Sequence, residues 1–143
     1  MNRVEFVVAP DGSTCLDIKI DDVRLQEHAR RAEITSAAAE GEPDLAGAYD
    51  GLTPLHAVCW PSRHFLGEPA LPATDDGDTV LLGCDCGDWG CWPLVARVEV
   101  ADAAVTWHHF KNPHREAWDL SRLGPFTFER AQYEASLRAT EQV

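Results

Sequence analysis

The chain has 143 residues, 45% hydrophobic and 25% charged, with 24 Asp and Glu against 12 Lys and Arg for a net charge of −12 at pH 7. That length suits one domain spanning residues 1–143, able to bury roughly two-thirds of its unfolded surface without a metal or a disulfide. The negative charge repels phosphate backbones and anionic lipid, which argues against nucleic-acid and membrane partners, and no run nears the ~18 apolar residues of a membrane span.

Met1–Glu5 contains no apolar signal-peptide core, so a cytoplasmic setting is expected. Thiols stay reduced there, and an odd count of five cysteines fits that reading. From the N-terminus, Val4–Val8 and Thr14–Ile20 flank Pro10-Asp11-Gly12, a turn signal, and predict a β-hairpin with Leu16, Ile18 and Ile20 on one face. Val23–Ile34 predicts a short helix, acidic at its start and basic near its end. Ser36–Ala48 reads as a surface loop. Tyr49–Pro72 is broken by Pro54, Pro61 and Pro69, leaving room for one short strand around His56–Trp60. Ala73–Asp78 reads as a turn with too few spaced oxygens for a calcium loop.

Thr79–Gly83, Trp92–Val100 and Ala104–Phe110 then predict a three-stranded antiparallel meander, because the middle segment alternates with period two. A turn at Ala101–Ala104 would set Val100 against Val105, Val98 against Trp107 and Ala96 against His109. In a regular strand His108 and His109 point to opposite faces, His109 semi-buried and His108 at the surface. Pro113 ends the strand. Trp118, Leu120 and Leu123 anchor a connection to Gly124-Pro125, and Thr127 caps a last helix over Phe128–Thr140. Its apolar stripe would be Phe128, Ala131, Ala135 and Ala139, with Tyr133 and Leu137 on the other side. The fold class expected is α+β: an antiparallel sheet made of the N-terminal hairpin and the C-terminal meander, packed by one or two short helices.

The chemistry concentrates in Leu81–Arg97, where Cys84, Cys86 and Cys91 fall within eight residues among Gly83, Gly87 and Gly90. Glycine permits the tight reversal of a strand, a cysteine turn and a second strand. With Gly83 opposite Trp92, Cys84 falls opposite Cys91, and the next hairpin's register brings His114 into the same row. Cys86 reaches in from the turn. Three sulfurs and one imidazole are a complete tetrahedral zinc set. The spacing Cys-x-Cys-x4-Cys is tighter than usual zinc knuckles, and Cys59, His64, His108 and His109 are further candidates for the fourth ligand.

Two other readings stay open. Cysteine packs as a small buried residue in many proteins. Alternatively Cys84, Cys86 and Cys91 could serve a thiol-based redox protein or enzyme, although the charges of Asp85 and Asp88 should raise their pKa values. Trp89 and Trp92 cover the turn or form a partner patch. His114 and Arg115 beside Asp119 could hold a carboxylate or phosphate, an internal ion pair being the commoner use. No phosphate-binding glycine loop, nucleophile elbow or His-Glu-x-x-His motif occurs.

The turn Cys84, Cys86, Gly87, Gly90, Cys91, followed by a strand and by Val105-Thr106-Trp107, resembles a group of small uncharacterised bacterial proteins with a Cys-x(1–2)-Cys-Gly-x-x-Gly-Cys turn and a Val-x-Trp. Leu123–Phe126 and Gln132-Tyr133 extend the likeness over the C-terminal half. The resemblance implies a whole-chain domain and lends weight to the cysteine turn, but names no reaction. The sequence therefore leads to an acidic, non-catalytic domain that binds a protein partner and carries a structural, zinc-competent cysteine turn.

Overall fold

Alternating apolar segments at both ends of the chain build two antiparallel sheets, seen in a computed structural model that describes residues 1–8, 15–71 and 76–142. Strands β1 (Val4–Val8), β2 (Leu16–Ile20) and the two-residue β3 (Val23–Arg24) form the first, in that order. Val4 faces Ile20 and Phe6 faces Ile18 across β1 and β2. These four side chains and Leu16 are buried, so one face of the hairpin is dry as its pattern predicts. The turn expected at Pro10–Gly12 lies outside the described residues, as does the first half of the one expected at Ala73–Asp78.

The second sheet contains β4 (Thr79–Leu82), β5 (Leu94–Val100), β6 (Ala104–Lys111) and β7 (Phe126–Glu129) as consecutive antiparallel neighbours. Hairpin and meander are thus two sheets rather than one. Isolated bridges link them: Asn2 with Phe128 directly, and Leu16 with Leu52 and Asp50 with Gly83 through the intervening segment. A single set of buried residues nevertheless runs through both sheets.

β7 was hidden in the sequence. Phe126 and Phe128 are buried and Thr127 faces outward between them, a period-two signature too short to stand out before a helix. The last helix, α3, therefore starts at Arg130 and runs to Arg138, and Thr127 is a strand residue instead of its cap. Its buried side is Tyr133 and Leu137, while Ala131, Ala135 and Ala139 are exposed, the reverse of the expected stripe. Large side chains one turn apart supply more dry area than alanines do. Tyr133 meets Phe6 and Trp107 edge-on at 5.3 and 6.0 Å between ring centres. Its hydroxyl donates to Phe65 O at 2.5 Å and accepts from Trp107 Nε1 at 3.1 Å.

Helix α1 spans Leu25–Ala39, longer than Val23–Ile34, because Ser36–Ala39 continues a run of residues tolerated in helices until Gly41 takes φ of 80°. Leu25, Ala29, Glu33 and Ala37 recur every four residues on its buried side. His56–Trp60 is not a strand: Leu55–Val58 makes a one-turn helix, α2, entered from Pro54.

The β5–β6 register is as expected at Val100 with Val105 and Val98 with Trp107, then breaks. His109 has φ of 55° and forms a bulge, so Arg97 faces His108 while Val95 faces Lys111. Ala96 lies between those two pairs, opposite both His109 and Phe110 rather than His109 alone. The cause is in the sequence: Val105, Trp107 and Phe110 are all buried, and a spacing of two followed by three requires one extra residue.

Candidate metal centre

At one end of the second sheet, β4 leaves Leu82 and Gly83 exchanges hydrogen bonds with Asp50, N to O at 2.8 and 2.9 Å. That pairing replaces the expected one with Trp92. Cys84–Cys91 then folds as two successive turns, Gly87 N–H donating to Cys84 O at 3.0 Å and Cys91 N–H to Asp88 O at 3.1 Å. Gly87 takes φ of 89°, which a side chain would resist. Asp88 Oδ1 accepts the Gly90 N–H at 2.9 Å and fixes the second turn. Trp89 lies over Gly83, where an added Cβ would come within 3.2 Å of its Cα. Trp89 and Trp92 are both half-buried, so they cover the loop's base.

The double turn brings the sulfurs of Cys84, Cys86 and Cys91 all within 4.8 Å of one another. Sulfurs on a tetrahedral zinc, each ~2.3 Å from the ion, stand about 3.8 Å apart, so small side-chain adjustments suffice for coordination. Cys84 is half-buried; Cys86 and Cys91 are exposed. Among the described residues no other His, Cys, Asp or Glu belongs to a group of this kind.

The three thiols do not titrate alike. The backbone N–H of Asp88, and then the thiols of Cys84 and Cys91, hydrogen-bond to Cys86 and hold its pKa below the ordinary thiol range. The Cys86 N–H favours a Cys84 thiolate, but burial and bonds to Cys86, Cys91 and Asp85 outweigh it and push Cys84 up to about 12. Cys91 is raised, chiefly by its bond to Cys86. Of the three, Cys86 gives up its proton most readily, and Cys84 and Cys91 hold theirs more tightly than ordinary thiols. Asp88 thus acts on Cys86 more through its peptide N–H, which lowers the pKa, than through its charge, which opposes it. The sequence weighed only the charge.

His114 reaches the loop by another path than a shared strand row, since the bulge ends that register at Lys111. Its Nε2 lies 2.9 Å from Gly90 O, and its ring is parallel to Trp92 within 7° at 6.4 Å. It is not a member of the three-sulfur group, and its Nδ1 makes no hydrogen bond among the described residues. Buried Asn112 positions it: Oδ1 accepts the His114 N–H at 2.9 Å, and Nδ2 donates to Tyr49 Oη at 3.2 Å. Tyr49 in turn donates to Glu33 Oε2 at 2.5 Å, and Gly47 N–H donates to Glu33 Oε1 at 2.8 Å. A polar chain therefore runs from α1 to the cysteine loop through the core. Burial pushes Glu33 above the usual carboxylate range, partly offset by its bonds to Tyr49 and Gly47.

Arg115 sits 5.0 Å over the Trp92 ring and pairs with Glu40 at 2.9 Å, and Trp118 Nε1 donates to Glu40 at 3.2 Å. Glu40, not Asp119, takes that cation; Asp119 Oδ1 instead accepts the Ser121 N–H at 3.0 Å. The remaining candidates for a fourth ligand are elsewhere. His64 is fully buried with both ring nitrogens engaged, Nε2 on Val80 O at 2.7 Å and Nδ1 accepting from Ala70 N–H at 3.0 Å. Cys59 is buried beside Thr140, its thiol raised by desolvation. His108 and His109 touch each other on β6.

Fold and site together define an α+β protein with a three-sulfur donor group carried on a double turn. Comparison with family models, curated proteins and solved structures returned no match. No helix among the described residues is long and apolar enough to cross a membrane.

Proposed function

We propose that this protein is a non-catalytic, cytoplasmic binding domain whose loop holds one zinc ion through Cys84, Cys86 and Cys91, with His114 as fourth ligand, and presents that face to a protein partner. One observation carries the reading: three sulfurs from a single loop already meet within 4.8 Å. Thiolate ligands favour zinc among common cellular metals. His114 lies against Gly90, next to Cys91, and its free Nδ1 supplies a nitrogen donor beside the loop. The half-buried Trp92, stacked on His114 and Tyr49 and covered by Arg115, ties ligand geometry to the outer surface. A protein partner suits the acidic surface better than nucleic acid or lipid.

The test is metal analysis of protein purified without chelator, with thiols counted before and after denaturation. One zinc per chain with three protected thiols is expected. Cobalt substitution should give a sulfur-to-metal charge-transfer band that weakens in Cys86→Ser and loses its tetrahedral d–d intensity in His114→Ala. A chain free of metal with three freely reacting thiols ends the proposal.

A second reading has one specific observation behind it. Cys86 is an exposed thiol of lowered pKa within reach of two others, the arrangement a dithiol redox protein uses. Rapid formation of a disulfide involving Cys86 in metal-free protein, with a catalysed turnover of a small disulfide, would favour it over zinc.

A further inference from the structure

The bulge in β6 does more than restore the apolar spacing. Adjacent residues on a regular strand point to opposite faces, but His109 at φ of 55° swings its ring back onto that of His108. The ring centres are 4.4 Å apart at 68°, and the two Nδ1 atoms face each other within hydrogen-bond reach. A bulge needs only one extra residue here, and glycine or asparagine would take the left-handed backbone with less strain. Histidine is also among the residues enriched in that region, and its use here sets two imidazoles side by side.

Both rings border an open cavity of about 450 Å³ that Ser121, Leu120 and Leu123 also line. On the far side of His108, Nε2 lies 3.0 Å from Glu99 Oε1, close but not aligned as a hydrogen bond. That carboxylate is diagonal to His108 across the β5–β6 ladder and stands on the side of the ring away from His109. Arg97, directly opposite His108, has its charge beside Asp78 at 3.5 Å.

Two facing Nδ1 atoms suit either a hydrogen bond, with one ring donating and the other accepting, or a cation that takes both lone pairs. We propose that His108 and His109 form a second metal site, separate from the cysteine loop, in which a borderline divalent ion such as Zn²⁺ takes both Nδ1 atoms as ligands. Imidazole suits Zn²⁺, Ni²⁺ and Cu²⁺ rather than Ca²⁺ or Mg²⁺. A carboxylate behind a ligating histidine is the usual outer support of such ions. Zinc–nitrogen bonds of ~2.0–2.1 Å place two tetrahedral ligands about 3.3 Å apart, so the rings must rotate away from each other to admit the ion, and the exposed His109 has room to turn. Water, or a small anion entering the cavity, fills the remaining positions, so this ion keeps exchangeable ligands.

The test uses the full chain carrying Cys84→Ser, Cys86→Ser and Cys91→Ser, titrated with Zn²⁺ by calorimetry. This background makes the result independent of whether the cysteine loop holds a metal. One equivalent is expected to bind. Adding His109→Gly should weaken it about tenfold or more, the scale on which lost support or ligation acts at such sites. That substitution suits the left-handed backbone and leaves the fold intact. His108→Ala should have the same effect, and long-range ¹H–¹⁵N spectra should show zinc shifting Nδ1 of both rings. Failure of the triple-serine chain to bind zinc, or binding untouched by both histidine variants, overturns the proposal.

Discussion

His64 shows how a single residue is committed by its surroundings. Burial holds its pKa below the usual imidazole range, against the opposing pull of Val80 O. Nε2–H donates to that carbonyl while Nδ1 accepts from Ala70, so the native ring is neutral in one tautomer. In the unfolded chain the ring protonates near pH 6.5. Below that pH the unfolded state binds a proton that the native state refuses, so this contribution is present above about pH 6.5 and is lost as pH falls through the native value. Glu33 works the other way. Its raised pKa favours the native state at low pH, and the benefit fades as pH rises through the native value. His64→Leu should separate the two. It leaves Val80 O and Ala70 N–H without their partner, a loss of roughly 2–4 kcal/mol at pH 7.5. The gap to the parent chain should narrow toward pH 5, where the parent alone is penalised. Urea melts at both pH values measure this; a gap that stays constant would show that His64 does not resist protonation.

Among the elements, α3 does the most to join the sheets. Strand β1 is an outer strand of its sheet, and its free backbone groups are met by α3 side chains rather than by another strand. Gln132 Oε1 accepts from Val4 N–H at 3.1 Å and its Nε2 donates to Val4 O at 2.6 Å, while Ser136 Oγ accepts from Phe6 N–H at 2.9 Å. Covering an edge this way removes a template for unwanted pairing. The double variant Gln132→Ala, Ser136→Ala should cost about 2–3 kcal/mol for its three lost bonds. Amide exchange should speed up at Val4 and Phe6 first. Uniform acceleration across β1 and β2 would mean that the helix holds the hairpin by apolar contact alone. These contacts also mark where sequence pattern stops being informative. The hairpin, the meander and the α+β class were legible because alternation repeats over five or more residues. β7 has only two inward side chains, and α3 buries Tyr133 and Leu137 because of where β1 and β6 put Phe6 and Trp107, which no local period records. The bulge was legible in principle from the three-residue step between Trp107 and Phe110. Of the candidate centre, the three cysteines were readable from their proximity in the chain. The double turn and the path of His114 were not, because both depend on Asp50 and Asn112, distant residues with no periodic signal.

Over the whole molecule, the ion proposed at the cysteine loop is a local brace. The core through both sheets is built without it: among the described residues, its thirty-odd buried apolar side chains include only one cysteine, Cys59, and none from the loop. The loop's base is also held independently, by Gly83 with Asp50 and by the chain from Asn112 through Tyr49 to Glu33. This differs from a small zinc finger, whose folding free energy comes largely from the metal. Removing zinc with a chelator should therefore leave a cooperative thermal transition, with native far-ultraviolet dichroism below it. The midpoint should rise with zinc concentration as binding to the native state alone requires, by about 2.7 kcal/mol of stability at a hundredfold excess over the dissociation constant. Hydrogen exchange should slow on zinc addition over residues 84–91 and stay unchanged in β1, β2 and α3. Trp92 emission should follow the same titration, because its ring is stacked on His114. Collapse of the whole fold on chelation would show instead that the two sheets depend on the loop, and protection spread evenly along the chain would show that the ion binds elsewhere.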